Sequence, residues 1–181
     1  MGYRSYVTVA IGFPDVDAMA SFVTERKLSG AINEEELSYY NVMKGSSYRG
    51  IRITNPDGSK QDLGDENTIM YAHFEDVKWY ESYIDVQMHM GMIEKAKSLG
   101  LPTYYARIGE DYGDVECEAY EEACTDDDAQ LKYAETTVDW LDSGFEVVRY
   151  LGIPQGNDQW TIKEAIKRRE TDEQRTETSE S

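Results

Sequence analysis

The chain has 181 residues and carries 18 Lys and Arg against 36 Asp and Glu, a formal charge of −18. One domain is expected at this length, and the acidic excess argues against direct contact with nucleic acid or an anionic membrane, which both need clustered cations. Leu, Ile, Val and Phe number only 34, but 14 Tyr, 7 Met and 3 Trp raise the large apolar or amphipathic total to 58, which describes a folded domain rather than a wholly disordered acidic chain.

Residues 3–13 (YRSYVTVAIGF) are rich in β-branched and aromatic side chains and predict a strand. The apolar run at 7–13 is far shorter than the ~20 residues of a membrane span. Pro14, Asp15 and Asp17 follow it in place of a small-residue cleavage site, so no signal peptide is expected. Val16, Met19, Ala20 and Val23 recur at helical spacing and predict an amphipathic helix over 15–27, with Asp15 as N-cap and Ser29-Gly30 as its stop. Residues 37–44 and 48–54 read as short strands joined as a hairpin at Gly45-Ser46-Ser47, and Asn55-Pro56-Asp57-Gly58 is a strong turn. Residues 69–74 (IMYAHF) predict a strand. Residues 81–98 predict a helix marked by Ile84, Met88, Met92 and Ala96 and stopped by Gly100 and Pro102; 103–108 (TYYARI) predict another strand. This order suggests an α+β sandwich, a mostly antiparallel sheet with two helices on one face, close to a split βαβ unit with one added strand.

Beyond Gly109 the character changes. Residues 145–151 predict one more strand, and Asn157 or Asp158 caps a last helix within 156–169. Residues 170–181 contain no apolar side chain and predict a disordered tail. Residues 1–155 are read as a single α+β domain that includes an acidic segment, 110–146.

Net charge is 0 over residues 1–60, −4 over 61–109, −13 over 110–146 and −1 over 147–181. The acidic segment holds Glu110, Asp111, Asp114, Glu116, Glu118, Glu121, Glu122, Asp126, Asp127 and Asp128, then four more acids, against Lys132 alone. Tyr112, Tyr120, Tyr133, Val138, Trp140 and Leu141 interleave with them and could pin the segment to the body. Two readings stand. One is a solvated acidic face that aids solubility. The other is a docking surface for a basic partner, in one version a DNA mimic. B-DNA carries about one charge per 1.7 Å of axis, so ~14 carboxylates match the charge of ~24 Å of duplex. Trp79 and Tyr80, with Tyr83, form an aromatic group at the entry to the second helix, either core or interface anchors.

The catalytic inventory is thin. His73 and His89 could each act as a general base or sit as half-buried or surface histidines, and no nucleophile motif stands beside either. Cys117 and Cys124 are spaced too widely for the common zinc pair and too few for a disulfide framework, so reduced thiols are expected. Asp126-Asp127-Asp128 lacks the spacing of a calcium loop. Glu110, Asp111, Asp114 and Glu116 could hold a Mg²⁺ ion, against the simpler reading of chance clustering in so acidic a chain. The Gly109 to Gly113 stretch (GEDYG) has the wrong charge for a phosphate cradle. Met88, Met90 and Met92 read as core, with Met90 filling a gap, or as an adaptable binding surface. Neither a metal nor a cofactor is expected.

Three patches belong together: Gly2-Tyr3-Arg4-Ser5, residues 74–86 (FEDVKWYESYIDV) and residues 106–116 (ARIGEDYGDVE). In combination they resemble a family of small acidic proteins encoded by bacteriophages and prophages; Lys78-Trp79-Tyr80 and Arg107-Ile108-Gly109-Glu110-Asp111 are the most specific parts. The resemblance covers roughly residues 1–116 and implies an accessory phage protein made in the host cytoplasm; it implies no catalytic residue. With the segregated charge, the expectation is a non-enzymatic protein. It would bind and inhibit a basic, nucleic-acid-handling host protein through Trp79, Tyr80 and the ten acids named above, for counter-defence or host takeover. The alternative is a structural or assembly protein of the phage that self-associates, marked by a stable closed oligomer or particle association, whereas a salt-sensitive monomer or homodimer favours the first reading.

Overall fold

Strand β1 (Ser5–Phe13) is buried at eight of its nine positions, on both faces, which marks a strand inside a sheet rather than at its edge. The structure, a computed structural model, describes residues 3–44, 52–62, 67–111, 114–119, 135–141, 144–150 and 159–179. Around β1 lie β2 (Asn41–Lys44), β5 (Thr68–Val77), β6 (Thr103–Ile108), β7 (Val115–Ala119) and β10 (Gln159–Thr161), in the order β10-β2-β5-β1-β6-β7. Every neighbouring pair is antiparallel. Two separate hairpins, β3 (Arg52–Thr54) with β4 (Lys60–Asp62) and β8 (Glu135–Leu141) with β9 (Gly144–Tyr150), complete the strands described. The helices are α1 (Val16–Leu28), α2 (Glu34–Leu37), α3 (Ile84–Ser98) and α4 (Ile162–Ser179). The architecture is the α+β one expected. Among the described residues no helix is long and apolar enough to cross a membrane.

One face of the sheet carries the main core. Val7, Val9, Ile11 and Phe13 of β1 join Met70, Ala72 and Phe74 of β5 and Tyr105 of β6. Against them pack Met19, Phe22 and Val23 of α1, Met92, Ile93 and Ala96 of α3, and Ile162 and Ala165 of α4. Each fully buried large aliphatic or Phe side chain contributes about 1.5–3 kcal/mol, so three helices rather than the expected two are tied to this face. The opposite face is buried as well, at Ala10, Tyr71, Tyr104, Ala106 and Ile108.

Local signals explain most boundaries. Asp15 accepts a 2.8 Å hydrogen bond from the Ala18 amide and caps α1 as expected. Helix α3 ends in a Schellman motif: the Leu101 amide reaches Ala96 O, the Gly100 amide reaches Lys97 O, and Gly100 takes φ +72°. A Cβ there would lie 1.8 Å from Thr54 O, because the Thr54 amide bonds Gly100 O at 2.8 Å and holds the β3–β4 hairpin against the helix end. The Asn55-Pro56-Asp57-Gly58 turn makes that hairpin, with Gly58 at φ +82°.

Several expectations are corrected. Residues 37–44 are not one strand. Asn33 accepts from the Glu36 amide at 2.9 Å and starts α2, whose three acids face the helix's positive end, so β2 begins only at Asn41. Among the described residues the predicted hairpin between 37–44 and 48–54 is not seen: β2 pairs with β5 and β10, and β3 pairs with β4; the Gly45-Ser46-Ser47 turn and residues 48–51 lie outside the described residues. The last helix starts at Ile162, not within a span capped by Asn157 or Asp158. Thr161 Oγ1 accepts from the Glu164 amide at 3.2 Å while Glu164 accepts from the Thr161 amide at 2.8 Å, a capping box. That helix then runs to Ser179, through most of the stretch expected to be a disordered tail. Its Glu, Arg and Gln are good helix formers, Arg169 pairs with Glu173 at 2.6 Å one turn on, and Arg169 also holds Asp17 of α1.

Candidate functional site

Antiparallel pairing gathers distant segments at one end of the sheet. Ser5 lies opposite Val77, Tyr6 opposite Ile108 and Ile108 opposite Val115. The start of β1, the end of β5, the loop 78–83 that enters α3, the β6–β7 turn and the start of β7 therefore meet. Trp79, Tyr80, Glu110, Asp111 and Asp114, all named from sequence, are brought to this end.

Tyr3 is the junction. Its amide donates to the Tyr80 hydroxyl at 3.0 Å, its hydroxyl donates to the Asp114 carboxylate, and the Asp111 amide donates to that hydroxyl at 3.3 Å. The next amide, Arg4, donates to Glu110 Oε1 at 2.8 Å. Arg4 also donates from Nη1 to the Asp76 carbonyl at 2.7 Å, where Asp76 takes φ 54°, a left-handed geometry that Asp tolerates better than most residues. Arg107 grips Asp114 with both terminal nitrogens, at 3.0 and 2.8 Å, and meets Glu116 through Nε at 3.3 Å. Glu116 also accepts from the Tyr105 hydroxyl at 3.3 Å. The Tyr3 hydroxyl and Arg107 hold the Asp114 carboxyl below the usual carboxylate range, while burial and Asp114 push the Tyr3 phenol up. Burial works against the Arg107 cation, but its hydrogen bonds to Asp114 and Glu116 outweigh that and raise its pKa. A Cβ on Gly109 would fall 1.8 Å from Asp114 Oδ2 and 2.0 Å from the Tyr3 hydroxyl, so the turn closes this tightly only with glycine there.

A second network lies beneath the aromatic loop. His89 is 1% exposed. Its Nε2 meets Glu36 Oε2 at 2.8 Å and its Nδ1 meets the Tyr40 hydroxyl at 3.0 Å. The carboxylate assigns the ring proton to Nε2, and Nδ1 then accepts from Tyr40. Phe74 sits 4.9 Å from the ring, and Trp79 stacks on it at 5.9 Å with a 20° tilt. Burial lowers the His89 pKa, against the opposing pull of Glu36. His89 is thus a fully partnered core histidine, not the half-buried or surface one expected. Thr8 Oγ1 lies 2.8 Å from His73 Nδ1, but Thr8 is fully buried and offers no nucleophile to solvent.

The acids divide. Asp114 and Glu116 are held by Arg107, and Glu118 by Lys97 of α3 at 2.9 Å. Glu110 and Asp111 lie on the exposed turn. Glu121, Glu122, Asp126, Asp127 and Asp128 lie outside the described residues, as do the Cys117 side chain and Cys124. Among the described residues no group of three or more His, Cys, Asp or Glu side chains could hold a metal ion, and Asp114 and Glu116 clasp a guanidinium. Trp79 and Tyr80 are half-buried; Tyr80 meets Tyr83 edge-on at 5.2 Å, and Trp79 packs on Phe74 at 5.4 Å. The sequence reading carried Tyr3 and Arg107 only within the resemblance and gave Tyr105 no role; a single arginine in the otherwise uncharged TYYARI strand was a further signal. Comparison with family models, with curated proteins and with solved structures found no match in any of the three.

Proposed function

We propose that this is a non-enzymatic binding protein that docks on a basic, nucleic-acid-handling host protein and inhibits it, its carboxylates standing where nucleic-acid phosphates would lie. The observation that carries the reading is the meeting, at one sheet end, of the aromatic loop 78–83 with the first residues of a segment that bears −13 of the −18 net charge. Carboxylates would steer the encounter and aromatic side chains would anchor it, with affinity falling as salt rises. Asp114, Glu116 and Glu118 are already paired with cations of the chain itself. They shape the rim, and the docking role goes to Glu110, Asp111, Glu121, Glu122, Asp126, Asp127 and Asp128. The setting we infer, a bacteriophage or prophage accessory protein in the host cytoplasm, comes from the resemblance of residues 2–5, 74–86 and 106–116.

The test is a tagged pull-down from host lysate at low salt, eluted with a salt gradient, followed by binding measurements on the captured protein. A basic protein that leaves at a defined ionic strength and loses affinity when Asp126, Asp127 and Asp128 are changed to Lys is the expected result. Unchanged affinity after that charge reversal overturns docking through the acidic segment. Recovery of the chain itself as a stable closed oligomer would favour the assembly role instead.

A further inference from the structure

The two faces of the six-stranded sheet are covered differently. Helices α1, α3 and α4 join Val9, Met70, Ala72 and Tyr105 in one core cluster. The other face is set by register: Ala10 lies between Tyr71 and Tyr104, Thr8 opposite Ala106, and Ile69 opposite Met43. Ala10, Met43, Tyr71, Tyr104, Ala106 and Ile108 are at most 3% exposed, yet none of them belongs to the cluster that the helices form. A sheet face this dry needs a covering layer, and the helices lie on the other side. The β3–β4 hairpin is tied to the end of α3 through Thr54 and is exposed over residues 56–61.

The path of the chain points to what covers it. Strands β7 and β10 are the two edges of the sheet, so residues 120–158 leave from one edge and return at the other, about 24 Å away across five strand spacings. Midway they form the β8–β9 hairpin, and its register gives that ribbon two unlike faces. Val138 lies opposite Val147 and Trp140 opposite Phe145 on one; Glu135 lies opposite Tyr150 and Asp139 opposite Glu146 on the other. A lone two-stranded hairpin is marginal in water and gains stability by packing an apolar face. Turning the acidic face onto alanine, isoleucine and tyrosine would strip carboxylates of water without giving them a partner. We propose that the β8–β9 hairpin is the covering layer of this second face, with positions 138, 140, 145 and 147 toward the sheet and positions 135, 139 and 146 toward solvent. The acidic segment then contributes to two separate surfaces: Glu110 and Asp111 at the sheet end, and the hairpin acids on the side away from the helices. The packing holds whether or not either surface meets a partner.

The experiment is NMR on the full wild-type chain with labelled Ala and Ile methyl groups, reading NOE contacts from the methyls of Ala10, Ala106 and Ile108. Contacts to the Trp140 and Phe145 rings are the expected result. Contacts to residues 120–134 alone, contacts that arise only between copies in a mixture of labelled and unlabelled chains, or no contact beyond the sheet itself would each overturn the hairpin as the cover. Urea denaturation of two variants reads which way the ribbon faces. Trp140→Ala, on the inward face, should lower the midpoint by about 1–2 M. Asp139→Asn, which removes one of two like charges set opposite each other, should leave the midpoint unchanged or raise it. A midpoint that falls as far for Asp139→Asn as for Trp140→Ala rules out the assignment of the two faces. Neither measurement reads partner binding, so failure here leaves the docking reading standing.

Discussion

Two polar networks meet at the same end of the sheet and are built in opposite ways. Around His89 the surroundings are apolar and closed: Phe74, Trp79 and Tyr40 enclose the ring, and Glu36 is the one carboxylate bonded to it. Around Arg107 the surroundings are part-open and charged, with two carboxylates converging on one guanidinium and a phenol donating to each carboxylate. Enclosure suppresses charge, so the histidine favours its neutral form. At the open site the Tyr3 hydroxyl and the Arg107 guanidinium stabilise the carboxylate, so Asp114 stays ionised to lower pH than usual. The first network stiffens the aromatic loop from below; the second pins the acidic turn to the N-terminal residues.

The largest expected effect is on the closed network. His89→Ala leaves the Tyr40 hydroxyl and the Glu36 carboxylate without their partner in a buried site and opens a cavity under Trp79, so urea denaturation should show a loss of about 3 kcal/mol. Gly109→Ala strikes the open one. The neighbours that a Cβ would meet are side chains, which can move aside at the expense of the Tyr3–Asp114 bond, and the loss should be about 1–2 kcal/mol in the same assay. If the two losses came out equal, the contrast between closed and open networks would fail.

The pH dependence should separate them further. The folded His89 pKa lies below the unfolded value of about 6.5. Between those values the unfolded chain holds a proton that the folded chain excludes, so this contribution is complete above about pH 6.5 and declines as pH falls below it. Asp114 works in a lower window: its contribution is present above the unfolded carboxyl value of about 4 and is lost as pH falls through the lower folded one. Denaturation midpoints at a series of pH values should show both steps in the wild type and lose the corresponding one in His89→Gln and in Asp114→Asn. Smallest of all is the Lys97–Glu118 pair, whose side chains are 38% and 54% exposed. Lys97→Ala should cost less than about 1 kcal/mol, and less still at high salt.

Much of the fold was legible because it follows local periodicity. β1, α1, β5, α3 and β6 were each signalled by alternation or helical spacing and by punctuation such as Asp15 and Gly100. The misses have local physical causes. α2 hid in a run of acids whose capping Asn33 was not weighed. β7 and β10 are short outer strands with little apolar content, defined by the partner each lies against. The capping box of Thr161 and Glu164 is written in the sequence, but Asn157 and Asp158 just before it offer competing caps. On α3 the buried face runs through Val86, His89, Met92, Ile93 and Ala96, so Met92 and Ala96 of the expected stripe face the core while Ile84 lies outside it.

The site was legible only as ingredients. Trp79, Tyr80 and the acids from 110 to 118 stood out by type and by crowding. That they share one sheet end, that Tyr3 ties them, and that Arg107 and Lys97 take up three of the carboxylates depends on strand register, which joins residues up to 111 positions apart. The sequence by itself determined the helix and strand periods, the main caps and the segregation of charge, because each of these is a property of residues near one another in the chain. The tertiary structure decided which carboxylates are paired with cations of the chain itself, which histidine loses its water and which aromatic rings remain exposed, because each depends on what burial and pairing bring alongside a residue from far away.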